Sequence, residues 1–110
     1  MATFDTQMES FIKIILITSP NNDTCKSMLN TGIVTWNAFE MFDPDKADYL
    51  EYIDGSVTKT PSMIMKKRIK YARFYLTKLR DDKDTKADDP LKWVPAEFTA
   101  WWRSNARQIL

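Results

Sequence analysis

Between Gly55 and Arg80 the chain carries eight bases, Lys59, Lys66, Lys67, Arg68, Lys70, Arg73, Lys78 and Arg80, and no acid. Ammonium and guanidinium groups spaced along one segment neutralise phosphates or carboxylates on a partner. Lys66, Lys67, Lys70, Arg73 and Lys78 are the candidates for contact with RNA or DNA phosphates, or with an acidic protein face. These five mostly avoid the apolar positions of the same segment, so they can face outward together. Tyr71 and Phe74 lie among them and could stack on unpaired bases. The competing expectation is a solvated helix face whose charge balances the acidic first half of the chain.

A second cluster is acidic: Asp43, Asp45, Asp48, Glu51 and Asp54. The Asp-x-Asp spacing suggests calcium, but the glycine at loop position six and the closing glutamate of an EF-hand are missing. Asp45, Asp48 and Glu51 fall on adjacent helical turns, where they could pair with the basic segment of the same or of a neighbouring molecule. Trp101 and Trp102 are adjacent, so on a helix they project about 100° apart and only one can sit fully inside. Tryptophan concentrates in interface hot spots, which places Trp102 with Asp45, Asp48 and Glu51 as self-association residues. Both indoles sealing a small core is the alternative.

Catalytic and metal chemistry find little here. Histidine is absent and Cys25 is the lone cysteine, so Cys–His, Ser–His and His/Cys zinc arrangements are excluded, as is a disulfide within the monomer. Beside Met28 and Leu29, Cys25 is expected to pack rather than react. No glycine-rich phosphate loop or serine elbow occurs. The expectation is a chain that is not an enzyme, with no cofactor, metal or evident small-molecule substrate. A carboxylate-only mechanism stays open.

The elements that must position these groups follow from periodicity. With 110 residues and two glycines, the chain is expected to form a single helical domain, 1–110. Phe4, Met8, Phe11, Ile12 and Ile15 follow helical spacing after a cap at Asp5 or Thr6, with Pro20 and the Asn-Asn-Asp run ending that helix. The run of isoleucines makes a short strand the rival there. A second helix starts at Asp23 or Thr24 and stops at Gly32. A third follows Thr35, and a fourth starts at Asp43-Pro44 and carries Tyr49, Leu50 and Ile53. Ser56 to Thr60 is expected as a polar loop, and Thr60-Pro61 as the start of a long central helix at about 61–80. Met65, Ile69, Ala72, Leu76 and Leu79 form its apolar seam. Residues 81–90 are expected as a flexible charged loop before a last, Trp-rich helix opened by Val94-Pro95. The fold class is therefore all-α, a compact bundle of five or six helices.

Charge is unevenly placed along these elements. Residues 1–54 hold nine acids against three bases, residues 55–80 carry +8, and residues 81–110 hold six acids against five bases, for a net +1. The longest apolar run, around Ile14 to Ile17, is far short of the roughly 20 residues that span a bilayer, and no basic leader precedes it. No membrane association is expected. A lone thiol suits an intracellular setting, cytoplasmic or nuclear.

The stretch Leu29-Asn-Thr-Gly-Ile-Val-Thr-Trp-Asn-Ala-Phe, followed by Asp43-Pro-Asp-Lys-Ala-Asp-Tyr-Leu-Glu-Tyr, resembles a sterile-alpha-motif-like helical unit. With Pro61 to Leu79 and Leu91-Lys-Trp-Val-Pro-Ala-Glu-Phe added, the order is similar to the N-terminal, Gag-like region of copia-type retrotransposon polyproteins of diatoms and related algae. The likeness covers roughly residues 25–100. Trp93-Val94-Pro95 departs from it, because the pattern prefers Ser or Thr after the apolar residue. The resemblance implies a non-enzymatic helical assembly domain near retroelement RNA. Two functions are carried forward. One is a noncatalytic assembly or nucleic-acid-associated module. The other is a protein–protein adaptor forming a homo-oligomer, acidic face 43–54 of one copy against basic face 66–80 of the next.

Overall fold

The computed structural model describes residues 3–19 and 22–109, without the side chains of 107–109. Its first helix, α1 (Thr6–Phe11), is capped by Asp5, whose carboxylate accepts from the Met8 amide at 2.8 Å. The same carboxylate accepts from the Trp36 amide at 3.3 Å, so one side chain serves the N-termini of two helices. Capping of this kind stabilises a helix by about 1 kcal/mol. Beyond Phe11 the chain widens into a π turn, Ile12–Leu16, and stops at Ile17, which adopts a left-handed φ of 53°. The helix thus ends before Pro20, which with Asn21 lies outside the described residues. The isoleucine run is not a strand, because Ile12, Ile15 and Leu16 all turn into the core at helical spacing.

Helices α2 (Asp23–Thr31) and α3 (Trp36–Met41) form where their caps place them. Asn22 accepts from the Cys25 amide, and Gly32 closes α2 at φ 86°, a conformation that costs glycine little. Thr35 accepts from the Ala38 amide to start α3.

The expected fourth helix is shorter and tighter. Asp43 caps a 3₁₀ segment, Pro44–Tyr49, which ends before Leu50. Tyr52–Asp54 (β1) then pairs antiparallel with Val57–Lys59 (β2), Tyr52 opposite Lys59 and Asp54 opposite Val57. Among the described residues the fold is therefore mostly helical, close to the all-α class expected, with one two-stranded sheet added. The reason is local: Asp54-Gly55 is a hairpin turn pair, Gly55 sits at φ 66°, and Tyr, Ile, Val and Thr flank it.

The long central helix, α4 (Met63–Asp81), starts two residues later than Thr60-Pro61 suggests. Ser62 is its cap, and Pro61 lies buried ahead of it. Ile69, Tyr71, Ala72, Tyr75, Leu76 and Leu79 are buried along it, while Met65 is only half-buried. Residues 81–90 are more ordered than a solvated loop. They enter a 3₁₀ turn, Thr85–Asp88, followed by another at Pro90–Lys92, and Ala87 and Pro90 are buried. The last helix, α5 (Pro95–Ile109), opens at Pro95 as its sequence requires.

An aromatic cluster joins these segments. Phe11 lies 4.8 Å from Phe39 and 5.5 Å from Trp36, Trp36 lies 5.6 Å from Trp93, and Trp93 lies 5.0 Å from Tyr75. Buried indoles need acceptors. Trp36 Nε1 donates to the Ala87 carbonyl and Trp93 Nε1 to the Lys86 carbonyl, each at 2.8 Å.

Two outcomes follow from this core. Phe39→Ala should lower the unfolding free energy by about 3–5 kcal/mol in a urea titration, because the ring is fully buried. Cys25 is also fully buried, and burial pushes its thiol up from 9.0 to about 11. A thiol-exchange reagent at pH 8 should therefore label the folded chain much more slowly than the denatured one.

Candidate functional site

Most bases of the acid-free stretch already have partners within the chain. Lys59 pairs with Asp54 at 3.1 Å across the hairpin. Lys70 Nζ lies 2.9 Å from Asp48 Oδ2, and its side chain is only 16 % exposed. That hydrogen bond raises the Lys70 pKa against the opposing effect of burial. Lys78 pairs with Asp82 at 2.8 Å and sits over the Tyr75 ring. Arg80 holds Glu40 with both Nε and Nη2 and reaches Asp88 at 2.5 Å, partners that raise its pKa.

Two arginines hold backbone carbonyls at helix ends. Arg73 donates from Nε to the Phe42 carbonyl at 3.0 Å and from Nη2 to the Glu40 carbonyl at 2.5 Å, while Nη1 reaches Thr77 Oγ1. These carbonyls close α3, where a cation meets the negative end of the helix. Burial lowers the Arg73 pKa, with Glu40 opposing. Arg68 Nη1 donates to the Ile15 carbonyl at 3.0 Å, at the end of the π turn, and its guanidinium lies over the Trp102 ring.

Magnitudes separate these residues as partner contacts. Exposed ion pairs such as Lys78–Asp82 contribute up to about 1 kcal/mol, so a phosphate can displace Asp82 at small cost. Arg73 cannot leave without stranding two carbonyls, at about 1–3 kcal/mol each. Among the described residues Lys66 and Lys67 make no ion pair or side-chain hydrogen bond. With Asp48 and Met63 they line a shallow hollow on the first turns of α4. Of the five cations singled out, Lys66, Lys67 and Lys78 can therefore meet a partner, while Lys70 and Arg73 are occupied within the chain.

The four self-association residues do not form one surface. Asp48 is spent on Lys70. Asp45 and Glu51 are exposed, and the Glu51 carbonyl accepts from Asn30 Nδ2 at 2.9 Å. Trp102 is stacked on Tyr71 at 5.5 Å and Phe98 at 5.9 Å. Trp101 meets Tyr75 at 5.2 Å, so both indoles are half-buried on the flank of the core.

One concave feature stands out between α4 and α5. Ile64, Arg68, Thr99, Trp102, Arg103 and Ala106 line a groove of about 590 Å³. It is open to solvent, and among the described residues no carboxylate lines it. Exposed Met63 and Ile64, at 74 % and 58 %, form the ridge between this groove and the Lys66–Lys67 hollow. Arg103 is a functional candidate that reasoning from the basic stretch misses. Its signal was present: Thr99, Trp102, Arg103 and Ala106 recur at i, i+3, i+4 and i+7, one face of a helix.

Among the described residues no three His, Cys, Asp or Glu side chains converge on a metal-sized site, and no helix is long and apolar enough to cross a membrane. No family model, curated protein or solved structure matches the chain.

Arg73→Ala should cost about 3 kcal/mol of unfolding free energy, whereas Lys78→Ala should stay within about 1 kcal/mol. Chemical denaturation of the two variants side by side checks this division between structural and available cations.

Proposed function

We propose that this chain is a noncatalytic helical module that associates with nucleic acid, using the first two turns of α4 and the facing side of α5. The observation that carries the reading is the separation of its cations. Arg73, Lys70 and Arg80 are consumed by carbonyls and carboxylates of the chain itself, while Lys66 and Lys67 are left beside a groove holding Arg68, Trp102 and Arg103. Cations without internal partners lose no native contact when they meet phosphate, and each phosphate neutralised releases counterions. The near-neutral total charge does not weaken this argument, because the bulk of the basic stretch balances internal acids.

On this reading the chain is a Gag-like helical unit with a sterile-alpha-motif-like core, working inside the cell near the nucleic acid it binds. The sequence resemblance supports that placement. Self-association through faces 43–54 and 66–80 has less support, since Asp48 and Lys70 from those two faces already hold each other.

Fluorescence anisotropy with a labelled oligonucleotide tests the proposal. Affinity should fall steeply between 50 and 200 mM salt, roughly as expected for a few phosphate contacts. Converting Lys66 and Lys67 together to glutamate should weaken binding by at least about tenfold, and reduce the salt slope. Binding that ignores salt, or that survives this double reversal intact, overturns the reading.

A further inference from the structure

We propose that the groove between α4 and α5 seats one unpaired nucleotide, so that the module prefers single-stranded nucleic acid to duplex. This rests on the nucleic-acid reading above and specifies which form is bound. Two observations support it independently of the lysines.

The first is size and charge. At about 590 Å³ the groove falls within the roughly 300–1,000 Å³ of pockets that hold small organic groups. Arg68 and Arg103 flank it and, among the described residues, no acid lines it, so its complement is an anion. Ile64, Ala106 and the Trp102 ring supply apolar wall, so the anion must carry an apolar or aromatic body. A nucleotide joins both in one unit.

The second is the stacked layer. Tyr71 stacks on Trp102 with 24° between the ring planes, and the Arg68 guanidinium lies 5.5 Å from the Trp102 centroid. The Ile15 carbonyl holds that guanidinium in place. An incoming base meets a planar, cationic and pre-ordered platform, the arrangement on which unpaired bases stack without sequence preference. Bases in a duplex are already stacked on their neighbours and cannot enter.

The test measures affinity for a mixed-sequence single strand and for the same sequence as duplex, on the native chain and two variants. The native chain should favour the single strand by about tenfold, the scale of one stacked base. Trp102→Leu should erase that ratio. Because this change could disturb packing, Ala106→Leu fills the groove without removing core volume and should erase it too. If the native chain binds both forms equally, or if the groove variants keep the native ratio, the nucleotide site is overturned while salt-sensitive binding through Lys66 and Lys67 still stands. If the native chain binds neither form, both proposals fall.

Discussion

The structure depends on two buried indole N–H groups and the consecutive carbonyls they find. Trp36 reaches across 51 residues to Ala87, and Trp93 folds back to Lys86. Each buried donor left unpaired would cost about 1–3 kcal/mol, so both rings are useful in the core only if residues 85–88 come to them. That requirement draws a charged, apolar-poor segment against α1 and α3. It also buries Ala87, and with the following 3₁₀ turn it sets the point at which Pro95 can start α5. The aromatic cluster of Phe11, Trp36, Phe39, Trp93 and Tyr75 is therefore a junction of several chain segments, tied by polar bonds as much as by area.

The central helix reconciles burial with charge by turning its cations into structural groups. Arg73 neutralises the end of α3, Arg68 the end of the π turn, and Arg80 bridges Glu40 and Asp88. Guanidinium suits these roles because its planar fork meets two or three acceptors at once. Lys70 joins the 3₁₀ segment to the helix through Asp48. A stretch with eight bases thus leaves far fewer without an internal partner than its composition suggests. Those left over lie at the N-terminal end of α4, beside the groove formed with α5.

Much of the backbone was legible because its causes are local. Thr35, Asp43, Gly32 and Pro95 start or stop elements through their own side chains or φ preferences, and the structure uses each of them that way. The hairpin was missed although Asp54-Gly55 announced a turn, because Leu50 and Ile53 also fit a helical seam and the strands span three residues each. The π turn was not legible either. Its wide bond, from the Ile17 amide to the Ile12 carbonyl, matters only once Arg68 holds the neighbouring Ile15 carbonyl. Residues 81–90 looked solvated because sequence periodicity weighs side chains, whereas the core takes hold of this segment largely by its backbone carbonyls.

The candidate site divides along the same line. Sequence alone determined that the chain has cations without histidine, an apolar seam on its longest helix and a pair of adjacent tryptophans, since composition and spacing are properties of the chain in any conformation. Which of those cations are free was decided only in three dimensions. A charge is available or spent according to what stands within about 3 Å of it, and those neighbours lie 4 to 53 residues away along the chain. The groove between α4 and α5 has the same origin. Ile64 and Arg103 are remote in sequence, and they face one another because Tyr71, Tyr75 and Phe98 pack the two helices together.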